Sequence, residues 1–340
     1  MVKIELRKLI SFGKNSYVVS LPKKWVIKNK LKKGAFISII EDQDGLLLKS
    51  HDNKPKVEEP RRITISAENK NLDVIRTEIT SAYLEGYVII EVSSKNLKDN
   101  SIEIRDMLRG FAGLEIINQS LSRIVAKDLI NINEIKIKTL IRRMDNITRS
   151  MMEDALECFD GVDHAESMAH IDDEVNRLHF FTYRIIRMGL TDVRIANNLG
   201  TTPLKLHSDH TVTTLIERIA DSTKKICRYL NDSKLGKKWG LELKGIFNDI
   251  KQSYFDVMKA HYTQDNEIAL RIESTNKKNV LACDDIFHKH KHEDLTLGNE
   301  KCKGVCDFRP ACGATIKIIE NMKEISYSVK YIARTIIGGG

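Results

Sequence analysis

The 340-residue sequence is poor in proline, with five, and in aromatic residues, at 6%. It has no apolar run near the ~20 residues that a bilayer-spanning helix needs. Its first ten residues, MVKIELRKLI, lack the apolar core of a signal peptide. A soluble, cytoplasmic chain is therefore expected. Charged residues make up 30% of the sequence. With so little proline, that composition suits a helix-rich protein and excludes a disordered chain or a β-sandwich. Six cysteines, unevenly placed, do not form a disulfide framework and point to a reducing compartment. Cys158 and Cys227 fall on helical patterns and read as small core residues. A nucleophile elbow, a P-loop, a G-x-G-x-x-G turn and an H-E-x-x-H pair are all missing, as are the E-x-x-H ligands of di-iron bundles. The chain is not expected to be an enzyme.

What is present begins with an uneven charge. Residues 1–56 hold thirteen Lys and Arg against five Asp and Glu, whereas the other 284 residues hold 42 of each sign. The whole net charge of +8 thus sits on the first sixth of the chain. A solubility tail would be low in hydrophobic residues, and this segment is not. Polyanion binding, nucleic acid above all, is the expectation.

Proline marks the joints. Pro55 and Pro60 bracket a polar stretch, and Pro203 and Pro310 each precede a long helical pattern. Within residues 1–52, YVVSL (17–21), FISII (36–40) and LLLK (46–49) read as short strands, with a short helix at Lys23–Asn29 after Pro22. Residues 61–130 alternate as strand, helix (Leu72–Leu84), strand (87–92), helix (Ile102–Arg109) and two further apolar runs, LEII and SRIVA. This is the pattern of a small α/β unit. From Glu134 the period becomes helical. Leu140, Met144, Ile147, Met151 and Ala155 recur at three or four residues, and so do Leu215, Ile219, Ile226 and Leu230. Three more helices are expected at roughly 238–261, 264–292 and 311–337. A weak repeat aligns HIDDEVNRL (170–178) with RIESTNKKN (271–279), and IERIADSTKKI (216–226) with IENMKEISYSV (319–329). It predicts two three-helix bundles, 134–232 and 237–337.

Glu217 and Asp221 lie one helical turn apart, so both carboxylates share a face. Glu320 and Glu324 repeat the spacing, and Asp172 and Glu273 hold equivalent places on the preceding helices. Clustered carboxylates on facing helices suit a hard or borderline cation. Spacing alone equally allows solvated surface acids neutralised by lysines such as Lys224 and Lys323. LIERIADSTKKI resembles the E-R-I-G-D signature of PhoU-type phosphate regulators. IIENMKEISYSVKYIA resembles the last helix of their archaeal members. The likeness spans roughly 134–337 and implies two tandem three-helix bundles with surface metal clusters. By that resemblance the ligands are Glu217, Asp221, Glu320, Glu324, Asp172 and Glu273, and the metal is Fe, Zn, Mn or Mg. The sequence departs from the family at Ala220, Asn321 and Glu324.

RKLISFGKNSYVVSLPKKWVIKNKLKKGAFISIIEDQDGLLLK resembles the SpoVT–AbrB DNA-binding domain through Gly13, Ser16-Tyr17-Val18, Leu21-Pro22, Trp25, Leu31, Gly34 and the Asp44-Gly45 turn. The resemblance implies an obligate homodimer of interleaved, swapped hairpins that grips DNA. Matching positions are Arg7, Lys8, Lys14, Asn15 and Ser16, with Lys23 and Lys24 on phosphates. Arg7 has the fork that can read a guanine edge.

Cys302-x₃-Cys306-x₅-Cys312, after His288-x-His290-x-His292, fits neither a standard zinc nor an iron–sulfur spacing. This 288–312 segment reads as a loop with reduced thiols, or as a structural zinc or redox site on Cys302, Cys306, Cys312, His288 and His292.

The fold expected is α+β and mainly α: a swapped-hairpin β domain, a small α/β unit, then two helical bundles. The function expected is DNA-binding control of phosphate uptake. The competing reading is an adaptor that restrains a phosphate ABC transporter or its sensor kinase through protein contact.

Overall fold

The computed structural model describes residues 5–42, 45–50, 60–232, 237–290 and 310–338. The chain divides into two compact units, Met1–Glu59 and Pro60–Gly340.

The first unit is two hairpins and a helical turn. β1 (Ile10–Phe12) pairs antiparallel with β2 (Ser16–Val18) around Gly13, whose φ of +72° is the left-handed conformation that glycine adopts without penalty. α1 (Lys23–Lys28) follows Pro22. β3 (Ile37–Asp42) pairs with β4 (Gly45–Ser50), Ile37 facing Ser50 and Asp42 facing Gly45. The strand expected over 17–21 is shorter and starts at Ser16, and its partner β1 has only three residues, too few to display a period. No described residue of this unit is buried. Phe12 and Tyr17 are each 70% exposed and Ile39 is 62% exposed. Burying one such side chain stabilises by about 1.5–3 kcal/mol, so the isolated unit leaves most of its apolar residues without a core.

The second unit starts with a four-stranded sheet of order β5 (Arg62–Ser66), β6 (Ile89–Ser93), β8 (Arg123–Asp128), β7 (Leu114–Gln119). β5 and β6 are parallel, and β8 runs antiparallel to both its neighbours. The crossover between β5 and β6 is α2 (Leu72–Leu84), which starts where the Asn71 side chain accepts from the Val74 N–H at 2.9 Å. It ends before Gly86, where φ is +79°. α3 (Ser101–Arg109) packs beside α2. Ile75, Ile79 and Tyr83 of α2, Ile104 and Leu108 of α3, and Ile90, Val92 and Ile124 of the sheet form one buried layer. Arg62 and Glu91 pair at 2.6 Å on neighbouring strands, where Arg62 is exposed.

Seven helices follow: α4 (Ile137–Cys158), α5 (Ala165–Thr191), α6 (Val193–Asn198), α7 (Pro203–Asp232), α8 (Lys237–Thr263), α9 (Asn266–His290) and α10 (Pro310–Ile337). α4, α5 and α7 pack against one another, as do α8, α9 and α10, and α7 lies along α10. The two bundles therefore share one continuous core, from Ile141 and Met151 through Ile219 and Phe247 to Ile325 and Val329. A buried polar group bridges them: Asp145 of α4 accepts from Tyr262 Oη of α8 at 2.9 Å and from Arg149 Nε at 2.8 Å. α6, with six residues, is too short to show a helical period and was not anticipated.

One expectation is corrected here. Cys158 and Cys227 are buried in the bundle core, but they form a disulfide. Sixty-nine residues separate them in sequence, so no spacing motif betrays the pair. The packing of α4 on α7 brings their Cα atoms to 5.8 Å, inside the range a disulfide can span.

Arg184 of α5 joins the sheet layer to the bundle. It is 2% exposed and donates to the Tyr83 and Tyr87 carbonyls at 2.9 and 3.2 Å and to Asp128 Oδ2 at 2.6 Å. Its guanidinium also lies 4.6 Å from the centre of the Tyr83 ring.

Candidate nucleic-acid interface and acidic helix face

Lys14 and Asn15 occupy the tip of the β1–β2 hairpin, Ser16 opens β2, and Lys23 and Lys24 form the first turn of α1. Arg7 and Lys8 lie on the irregular segment before β1, and all seven side chains are exposed. Arg7 donates to Glu5 at 2.6 Å and to Ser20 Oγ at 3.4 Å. Its fork is thus held against the segment that follows β2. An exposed pair of this kind contributes little stability, so a phosphate or a guanine edge can compete for the guanidinium. The hairpin tip, the segment before β1 and the helix start place cations and apolar side chains on the same small unit.

The acidic residues of the first bundle do meet. Asp172 of α5 is 2% exposed, and its Oδ2 accepts from Lys224 Nζ at 2.5 Å and from Asn176 at 3.0 Å. Its Oδ1 is buried without a hydrogen-bond partner among the described residues. Asp221 takes ion pairs from Lys224 at 3.1 Å and from Lys225 at 2.5 Å. Burial pushes the Asp221 carboxyl up, but the hydrogen bonds and charges of Lys225 and Lys224 outweigh it, and the net shift is downward. Burial also opposes the charge on Lys224, and Asp172 and Asp221 reverse that effect, so its ammonium is held more firmly than usual. Glu217 is raised, first by burial and then by the charges of Asp221 and Asp172. Its helical partner raises the cost of a second negative charge, as the spacing anticipated.

The second bundle is arranged differently. Glu273 pairs with Arg334 at 3.0 Å and with Lys330 at 3.5 Å, which hold its carboxyl below the usual range. Those partners lie two to four turns beyond Glu320. Glu324 instead faces Arg218 of α7 at 3.3 Å, and Glu320 is exposed. Lys323, expected beside these acids, pairs with Asp284. The six acidic residues thus form one cluster around Lys224 and a scattered second set, and the sequence repeat did not anticipate that asymmetry.

Among the described residues no group of three or more His, Cys, Asp or Glu could hold an ion. An ammonium already stands between Asp172 and Asp221. As folded, this site carries a tethered cation, the Lys224 ammonium. Of the cysteine and histidine cluster, Cys302, Cys306 and His292 lie outside the described residues, as do the side chains of His288 and Cys312. Cys283 is a buried free thiol on α9, pushed up to about 12 by burial and by Asp284 against the opposing charge of Lys323.

Residues 10–61 match the family model for antidote-toxin recognition by MazE, a bacterial antitoxin. Residues 141–230 match the PhoU domain, which covers α4 to α7 with Asp172, Glu217 and Asp221. The second bundle, with Glu273, Glu320 and Glu324, falls outside the matched residues. No curated protein matches the chain by sequence. Among solved structures, the crystal structure of PhoU from Pseudomonas aeruginosa is similar at 16% identity and a TM-score of 0.47, over 59% of this chain and 93% of that one. The chain carries a PhoU domain and, before it, a domain of the MazE/AbrB type.

Proposed function

We propose that the protein is a DNA-binding regulator of phosphate uptake, working as a dimer through its first unit. The observation that carries this reading is the unit itself, whose candidate cations are exposed and none of whose described residues is buried. A second copy supplies the missing core, and pairing doubles the cations facing DNA. Lys14, Lys23 and Lys24 neutralise phosphates and release counterions, with Lys8, Asn15 and Ser16 beside them. Arg7 exchanges its contact with Glu5 for a base edge. In the helical unit, the cluster around Lys224 reports phosphate status or binds a partner. Anything that competes for Asp172 or Asp221 frees the ammonium, and a divalent ion would have to displace it. Neither matched family supports a catalytic role.

The test is binding of promoter DNA from a phosphate-transporter gene across a salt series, with intact protein and with Arg7→Ala/Lys14→Ala. About six phosphate contacts from a dimer predict a roughly thousandfold loss of affinity between 50 and 200 mM salt, and loss of sequence preference in the double variant. Binding that ignores both sequence and these residues refutes the reading. The adaptor acting on a transporter or sensor kinase would then lead, and a pull-down with those partners would be its test.

A further inference from the structure

Between the sheet layer and the first bundle lies a cleft of about 840 Å³. That volume is in the range of small-molecule sites, and far beyond what a lone anion fills. Four arginines line it, one from each wall: Arg76 of α2, Arg109 of α3, Arg143 of α4 and Arg177 of α5. Arg143 is held by Glu174. Arg76, Arg109 and Arg177 are exposed, and their guanidiniums make no hydrogen bond or ion pair among the described residues. Three guanidiniums from three helices that line one cleft, none in an ion pair among the described residues, form a fork set for phosphate oxygens.

The floor has a different character. Phe111 is nearly buried, packed at a tilt between Tyr83, at 4.5 Å, and Phe180, at 5.7 Å, and the partly exposed Phe180 and Phe181 line the cleft beside it. An aromatic floor favours a flat apolar group. The same walls carry the acids Asp106 and Asp173. They leave the cleft only weakly positive and disfavour a ligand that is all anion. Carboxylates there suit hydroxyl and amino donors on the body of a ligand whose phosphates lie on the arginines.

We propose that this cleft binds a nucleoside phosphate, with its phosphates on Arg76, Arg109 and Arg177 and its base against the wall of Phe180 and Phe181. The wall connects to the acidic cluster, because Asn176 lines the cleft and donates to Asp172. The site lies wholly within the second unit and does not depend on DNA binding by the first.

The experiment is isothermal titration of the full chain with ATP, AMP, adenosine, pyrophosphate and inorganic phosphate. It is repeated on Arg109→Ala/Arg177→Ala, and on Arg187→Ala, which removes an exposed charge of α5 outside the cleft. To exclude nucleotide held by the basic hairpins, Arg7→Ala/Lys14→Ala is titrated as well. ATP or AMP is expected to bind once per chain, at least about tenfold tighter than adenosine or pyrophosphate. The Arg109/Arg177 variant should lose about tenfold or more, and the other two variants should match the parent. Should the double variant lose helicity, Arg76→Ala on α2 replaces it. No nucleotide binding at millimolar concentration, affinity untouched by the cleft substitutions, or pyrophosphate binding as tightly as ATP would each overturn the proposal.

Discussion

The two units solve the problem of a core in opposite ways. The second unit buries Tyr83, Ile104, Phe247 and Tyr254 completely, and ties its layers together with Arg184, Asp145 and a disulfide. No described residue of the first is buried, and Phe12, Tyr17 and Ile39 are exposed. Short chains seldom bury enough surface to be stable alone. The second unit is therefore complete in itself, whereas the first would gain its core only in the dimer we propose. In that proposal the paired half meets symmetric DNA and the closed bundle receives the signal.

Breaking the second unit at its joint should have the largest effect. Arg184→Met leaves Asp128 partly buried beside two carbonyls that lose their donor, and costs about 3–5 kcal/mol in urea unfolding. DNA affinity per folded dimer should stay unchanged. Removing the bridge with Cys158→Ala/Cys227→Ala, which opens a 69-residue separation, lowers stability by about 4 kcal/mol on chain-entropy grounds. Reductant should do the same to the parent protein and nothing to the variant.

Acid sharpens the contrast. His179 and His261 are held neutral by burial, the charge of His210 adding to the effect at His179 and those of Lys205 and Lys138 at His261, and both are lowered to about 4. Because the folded values are depressed, the unfolded chain binds protons first. Stability is complete above pH ~6.5 and falls as pH drops toward 4, by roughly 2 kcal/mol per histidine at pH 5. His179→Leu should flatten that slope in melts recorded from pH 7 to 4.5. The smallest effect on monomer stability belongs to the first unit. Phe12→Ser should leave the melt of the helical unit unchanged while weakening self-association about 10- to 100-fold, as read by sedimentation.

Much of this was legible in the sequence. The span Leu72–Leu84 is the observed α2, and the stripes through Met144, Ile219 and Val329 are core positions. Periodicity reports burial on long elements, so long elements were found. β1 and α6 are too short for any period to register. The Cys158–Cys227 bond and the arginine cleft depend on which helices become neighbours, and spacing along one chain does not encode that. The acidic residues were legible singly, but Lys224 as their common partner emerged only when α5 packed on α7.

The most direct test of the half-fold account is sedimentation of the intact chain on operator DNA, beside Phe12→Ser/Ile39→Ser. The account predicts two chains per duplex for the parent. It predicts a monomer for the variant, with DNA affinity at least about tenfold lower. A single chain bound to the duplex with equal affinity in both proteins would contradict it.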